Sequence, residues 1–103
     1  MHRNYIVLKR YSLNPKVVIS EIAGETVAVP LVNSVAQMNK VFTLNQTAAF
    51  IIQVITNQPK TLDEIANALS DEFEIDKNLA KQDIIEVLNQ GIDLSLITTD
   101  DNE

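Results

Sequence analysis

The sequence predicts an α+β fold in which a three-stranded antiparallel sheet is followed by a three-helix bundle, an order like that of a winged helix. Two short β-branched segments flank the pair Ala23-Gly24, as in a hairpin. Three later segments repeat aliphatic residues at helical spacing behind capping residues. Of the 103 residues 46% are hydrophobic, mostly aliphatic, with no Trp. That is enough to build one core in one domain, without disulfides or a metal.

Residues 17–22 and 25–32 are the hairpin strands. In the second, Val27, Val29 and Leu31 share a face, and Pro30 marks an edge or the end of regular pairing because it cannot donate to a ladder. Asn33 to Lys40 reads as a polar loop, and 41–44 as a third, short strand leading directly into a helix. Thr43 and Gln46 have the spacing of a capping box, with Asn45 as an alternative N-cap. Leu44, Ala48, Ile51 and Ile55 then predict a helix over 45–57. Thr61 and Glu64 form a second capping box, and Leu62, Ile65, Ala66, Leu69 and Phe73 predict a helix over 62–73. Asp76 caps a third, over 77–90, whose stripe is Leu79, Ala80, Ile84, Val87 and Leu88 and which Gly91 stops. Ile92, Leu94, Leu96 and Ile97 form a short tail that packs back. Phe42, Leu44, Ile51, Leu69 and Leu88 are the expected core. The domain is expected to span 17–97, with 1–16 an N-terminal arm, disordered or a short extra strand, and 98–103 an acidic disordered tail.

Several chemistries lack their residues. There is no Cys, and the one His is His2, near the terminus. Disulfides, thiolate metal sites, histidine zinc sites and Cys–His or Ser–His catalysis have nothing to draw on. Two glycines cannot form a phosphate-binding loop. Asp71, Glu72, Glu74 and Asp76 lack the glycine and closing Glu of a calcium loop and read as a solvated helix end. The expectation is therefore no catalytic residue, no metal and no cofactor. No apolar run is long enough to cross a membrane, and no signal segment is visible, so the expected location is the cytoplasm.

Net charge is −6, unevenly spread. Residues 1–60 carry six basic and two acidic side chains; residues 61–103 carry two and twelve. As a DNA-recognition helix, 76–91 would offer Lys77, Lys81, Gln82 and Asn89 but also Asp76, Asp83 and Glu86, and no Arg. Nucleic acid is a poor partner for that surface.

The stretch Val18 to Pro30, the junction Phe42-Thr43-Leu44-Asn45-Gln46-Thr47-Ala48-Ala49-Phe50-Ile51, the helix start Thr61 to Leu69 and the stripe Leu79 to Leu88 together resemble the PqqD-like family. The likeness covers 17–97 in order and spacing. It departs at Ser95, where the family often has Gly, and at Gln53, where an aromatic is common nearby; residues 1–16 have no counterpart. The resemblance implies a non-enzymatic recognition element that binds the leader of a ribosomally made precursor peptide. The leader adds as a strand beside the third strand and third helix, and the domain presents it to a modifying enzyme, often a radical-SAM enzyme. The peptide-binding residues it implies are Val41, Phe42, Thr43 and Leu44 on the strand and Lys81, Ile84, Ile85 and Leu88 on the helix. Ile85 also reads as core and Lys81 as a solvated charge. A winged-helix DNA binder and a purely structural interaction domain are the other readings.

Overall fold

A two-residue turn organises the first sheet of the computed structural model, which describes residues 8–31 and 41–102. Ala23 and Gly24 both take positive φ, 54° and 83°, the combination whose twist suits a tight hairpin. β2 (Val17–Ile22) and β3 (Glu25–Pro30) pair antiparallel around it, from Ile22 opposite Glu25 to Val17 opposite Pro30. β4 (Phe42–Leu44) continues the sheet on the far side of β3, with Thr26 opposite Leu44 and Ala28 opposite Phe42. Among the described residues its order is β2-β3-β4, so β4 lies at an edge of that sheet. The second strand ends at Pro30, short of the expected 32; Val32 and the loop expected at 33–40 lie outside the described residues.

The helices are α1 (Gln46–Asn57), α2 (Leu62–Phe73) and α3 (Lys77–Asp93). The capping box at Thr61 and Glu64 forms in both directions, and Asp76 accepts from the amides of Asn78 and Leu79. The expected Thr43 box does not form. Thr43 is held extended opposite Val27, and the N-cap is Asn45, which accepts from the Ala48 amide at 2.8 Å. Gly91 does not stop α3. It is buried within the helix, where an added Cβ would lie 2.8 Å from Ile97 Cγ1. The chain leaves the helix at Ser95, whose φ of 62° is left-handed, while the Leu96 amide donates to the Gly91 carbonyl at 2.8 Å.

The expected order of one sheet and then a bundle needs correction, because the chain builds two three-stranded antiparallel sheets. β1 (Leu8–Leu13) is the centre of the second, between β5 (Lys60–Thr61) and β6 (Ile97–Asn102). Of the two readings of the arm, its described part takes that of a short extra strand, and the described part of the tail, expected to be disordered, is also mostly strand. The register sets Arg10 opposite Asp100, a cross-strand pair of opposite charge, which favours this pairing. Ser12 and Thr98 hydroxyls meet at 3.0 Å, and the Asn14 amides, backbone and side chain, donate to the carbonyls of Leu96 and Ser95 at 2.9 Å. Tyr11 and Leu13 pack against the core.

That core is aliphatic. Ile51 and Ile55 of α1, Ile65 and Leu69 of α2, and Ile84 and Leu88 of α3 are its largest fully buried side chains. Ala28 and Val17 close it from the first sheet, and Leu96 and Ile97 from the second. Phe42 and Leu44, expected inside, are only half-buried at its margin. Among the described residues no helix is long and apolar enough to cross a membrane.

Two substitutions test the α3–β6 crossing. Alanine in place of a helical glycine normally stabilises by about 1 kcal/mol. At Gly91 it overpacks against buried Ile97, which costs about 1–3 kcal/mol, so Gly91→Ala should lower the denaturation midpoint. Ser95→Gly removes a left-handed strain of about 1–2 kcal/mol but adds about 0.5–1 kcal/mol of chain entropy, so it should raise the midpoint slightly. Chemical denaturation of both variants checks the signs.

Candidate functional site: an open strand edge beside the third helix

The edge of β4 that no other described strand pairs can be assigned residue by residue. Partners across an antiparallel ladder alternate between pairs that exchange hydrogen bonds and pairs that do not. Pro30 has no N–H, and next to it the Leu31 amide donates to the Lys16 carbonyl at 2.6 Å. The pair Val17–Pro30 is therefore of the non-bonded kind. Alternation from there makes Ile22–Glu25 a bonded pair, as a two-residue turn requires. It also turns the backbone groups of Ala28 and Thr26 away from β2 and toward β4. Phe42 and Leu44, opposite them, bond to β3. Thr43, between them, directs its N–H and C=O outward.

The side chains alternate as well. Thr43 is exposed, whereas Phe42 and Leu44 point to the opposite face of the sheet, where they are half-buried. On that face lies a groove of about 310 Å³, bounded by β4, the first turn of α1 and the C-terminal half of α3. Its floor includes Ala48, Ile52, Leu96 and Ile97, and its α3 wall is Val87, Gln90, Gly91 and Leu94. Leu94 is 46% exposed and Val41 49%. Large apolar side chains left open at the rim of a concave apolar surface mark a place where something can be buried.

All four strand positions expected in the site, Val41, Phe42, Thr43 and Leu44, line this groove, although Val41 falls just before β4. The four helix positions do not. Ile84 and Leu88 point into the core and are at most 2% exposed. Lys81 lies on the flank toward α2, where Lys77 and Lys81 both reach Asp63 Oδ1, at 3.0 and 3.2 Å. Ile85 is exposed but stands two residues, about 200° of helix rotation, from Val87. With Ala80, Ile84, Leu88 and Gly91 inward, the α3 side chains beside β4 are Asp83, Val87, Gln90 and Leu94, on the flank away from Lys81 and Ile85. One apolar stripe defines the inward face of a helix, but not which of its flanks meets a given strand.

The perturbed carboxylates lie away from the groove. The side-chain hydrogen bond from Lys77, then that from Lys81, holds Asp63 below the usual aspartate range. Glu64 is lowered chiefly by the Thr61 backbone N–H of the capping box. Both stabilise the start of α2, not the site. Among the described residues no group of three or more His, Cys, Asp or Glu side chains converges to hold a metal ion.

The PqqD family model, described as coenzyme PQQ synthesis protein D, matches residues 17–97. The chain belongs to the PqqD family. Solved structures share the PqqD-like fold. TbiB1 in complex with the TbiA(beta) leader peptide is 22% identical with a TM-score of 0.68, over 84% of this chain and 93% of that one. A lasso peptide synthetase B1 complexed with the leader peptide is 19% identical with a TM-score of 0.69, over 85% and 96%. The PqqD truncation of Methylobacterium extorquens PqqCD represents a stand-alone recognition element for ribosomally synthesised, post-translationally modified peptides. It is 15% identical with a TM-score of 0.67, over 86% and 88%. No curated protein sequence matches significantly.

The pKa directions have a signed consequence. Asp63 and Glu64 are both lowered on folding, so they support stability above the unfolded carboxylate range, near pH 4, and that support disappears as pH falls through their folded values. In Lys81→Ala, Asp63 keeps only Lys77, so its carboxyl should titrate higher than in the parent protein. A carboxyl-detected NMR titration reads both.

Proposed function

We propose that this PqqD-family chain binds the leader segment of a ribosomally made precursor peptide as an extra strand along β4 and presents it to a peptide-modifying enzyme. The observation that carries this is the coincidence of an open strand edge at Thr43 with an apolar groove on the side of the sheet facing α3. Two proteins of the same fold were solved with leader peptides bound, which supports the reading. The contacts are the backbone of Thr43, the side chains of Val41, Phe42 and Leu44, and Val87, Gln90 and Leu94 on α3. Ile84 and Leu88 support that wall from beneath.

Magnitudes decide how such a site works. Thr43 offers one donor and one acceptor, each hydrogen bond contributing about 0.5–1.5 kcal/mol net. Association itself costs about 4–15 kcal/mol. The edge therefore sets register and direction, and most of the affinity comes from apolar leader residues, each contributing about 1.5–3 kcal/mol when fully buried.

The finer assignments belong to the same proposal. The chain acts by binding and not by catalysis, in the cytoplasm, and its partner enzyme is of the radical-SAM kind that the family often serves. Its topology is a variant of the winged helix, supported by β5 between α1 and α2 and by β6 after α3. Residues 17–97 are the recognition domain, to which β1 and the rest of β6 add a brace.

A proline scan tests the edge. Thr43→Pro removes an outward N–H and leaves the ladder to β3 intact, so it should weaken binding by about ten-fold while the protein stays folded. Phe42→Pro should instead destabilise the fold, because it removes a ladder bond. Amide chemical shifts, recorded with synthetic leaders encoded beside the gene, locate the site. Perturbations confined to residues 60–75, with 41–44 and 87–94 silent, would rule it out.

A further inference from the structure

We infer that the segment seated in the groove carries a lysine or arginine about two residues from its apolar anchor, held by Asp83 and Glu86 of α3. This rests on the leader-binding reading and names the chemistry of its ligand.

α3 divides its charge between two flanks. Its two lysines, Lys77 and Lys81, lie toward α2, and both are engaged by Asp63. The flank toward β4 carries Asp83 and Glu86 and no basic residue. Those two carboxylates have no cationic partner among the described residues, whose ion pairs are the two to Asp63. They line a second cavity of about 340 Å³ together with Asn45, Thr47, Val87 and Gln90. Asn45, Val87 and Gln90 also line the apolar groove, so the two cavities adjoin. The occupant of such a surface needs an apolar part and a cationic part side by side.

Helix and strand dimensions fix the spacing. From Gln90, in the middle of the groove wall, Glu86 is about four residues away on α3 and Asp83 about seven, or about 6 and 10 Å along the axis. Side chains on one face of an extended strand recur every ~6.6 Å, at alternate residues. A strand that runs along α3 with its apolar residue in the groove therefore brings the residue two positions away to Glu86, from where a long side chain also reaches toward Asp83. A lysine or arginine there meets complementary charge at an exposed rim, whereas an acidic residue meets two like charges. The excess of acids in residues 61–103, twelve against two bases, biases encounter the same way. A divalent ion does not fit as well, since no third ligand of the usual kind joins the pair among the described residues.

The probe is a random peptide library of about twelve residues, long enough to cross both cavities when extended, selected on the immobilised full chain. The expected pool is enriched in lysine or arginine two positions from a large apolar residue. Replacing that cation by glutamate in a synthetic member should weaken binding about ten-fold or more, an effect that shrinks as salt rises. Asp83→Asn with Glu86→Gln should weaken the cationic peptide about three- to ten-fold and abolish the charge preference. Asp71→Asn with Glu72→Gln, which removes the same charge from exposed positions of α2, should do neither. A pool that shifts the amides of residues 41–44 yet shows no cation preference, or one that survives Asp83→Asn with Glu86→Gln, overturns the inference and leaves leader binding standing. A pool that leaves those amides unmoved, or no binders at all, overturns both.

Discussion

The crossing of α3 and β6 at Gly91 positions the rest of the molecule. Ile97 reaches over the helix because residue 91 has no side chain, and the first added carbon would collide with it. With Ile97 in place, β6 leaves at a fixed angle and β1 pairs along its whole length, from Leu13 opposite Ile97 to Leu8 opposite Asn102. β1 in turn orders β5 through Arg10 and Tyr11, and β5 leads directly into the capped start of α2. A side chain at position 91 would lift α3 away from Ile97, and Ile97 forms part of the groove floor. One close approach therefore sets both the depth of the groove and the distance between its α3 wall and β4.

The exposed edge of β4 would be a liability in a longer strand, because unpaired backbone groups recruit other chains. Here the strand is three residues long and one of them faces outward. An edge that short does not hold a partner without help from side chains, so selectivity passes to what fills the groove. On the leader-binding reading this suits a carrier. Register comes from the backbone at Thr43, discrimination from Val87, Gln90 and Leu94, and the few main-chain bonds allow the peptide to be handed on.

How much was legible in the sequence follows from the range of each interaction. The turn at Ala23-Gly24, the capping box at Thr61 and Glu64 and the cap at Asp76 act over a few residues, and the hairpin and the start of each later helix were read from them. That 41–44 would lead straight into the first helix was legible for the same reason, since Leu44-Asn45 couples a strand end to a helix cap. The β1–β6 pairing was not. It joins residues about ninety positions apart in segments that look like a charged arm and an acidic tail, and only the register sets Arg10 opposite Asp100. Gly91 was misread because a glycine near a helix end usually stops the helix, and the packing that keeps this one inside involves Ile97, which local pattern does not place.

The flank of α3 that meets β4 decides the chemistry that the groove presents. A helix with Ala80, Ile84 and Leu88 inward has two flanks, and sequence pattern treats them alike. Choosing the flank of Lys81 and Ile85 gives a basic wall suited to an acidic peptide; the flank of Asp83, Val87 and Gln90 gives an acidic one suited to a basic peptide. What separates them is that Asp63, in the first turn of α2, takes both lysines. The ion pairs contribute little to stability at so exposed a position. Their weight is in placement: they hold the positive charge of α3 on the far side of the helix, and the face that meets β4 is left with carboxylates and aliphatic carbon.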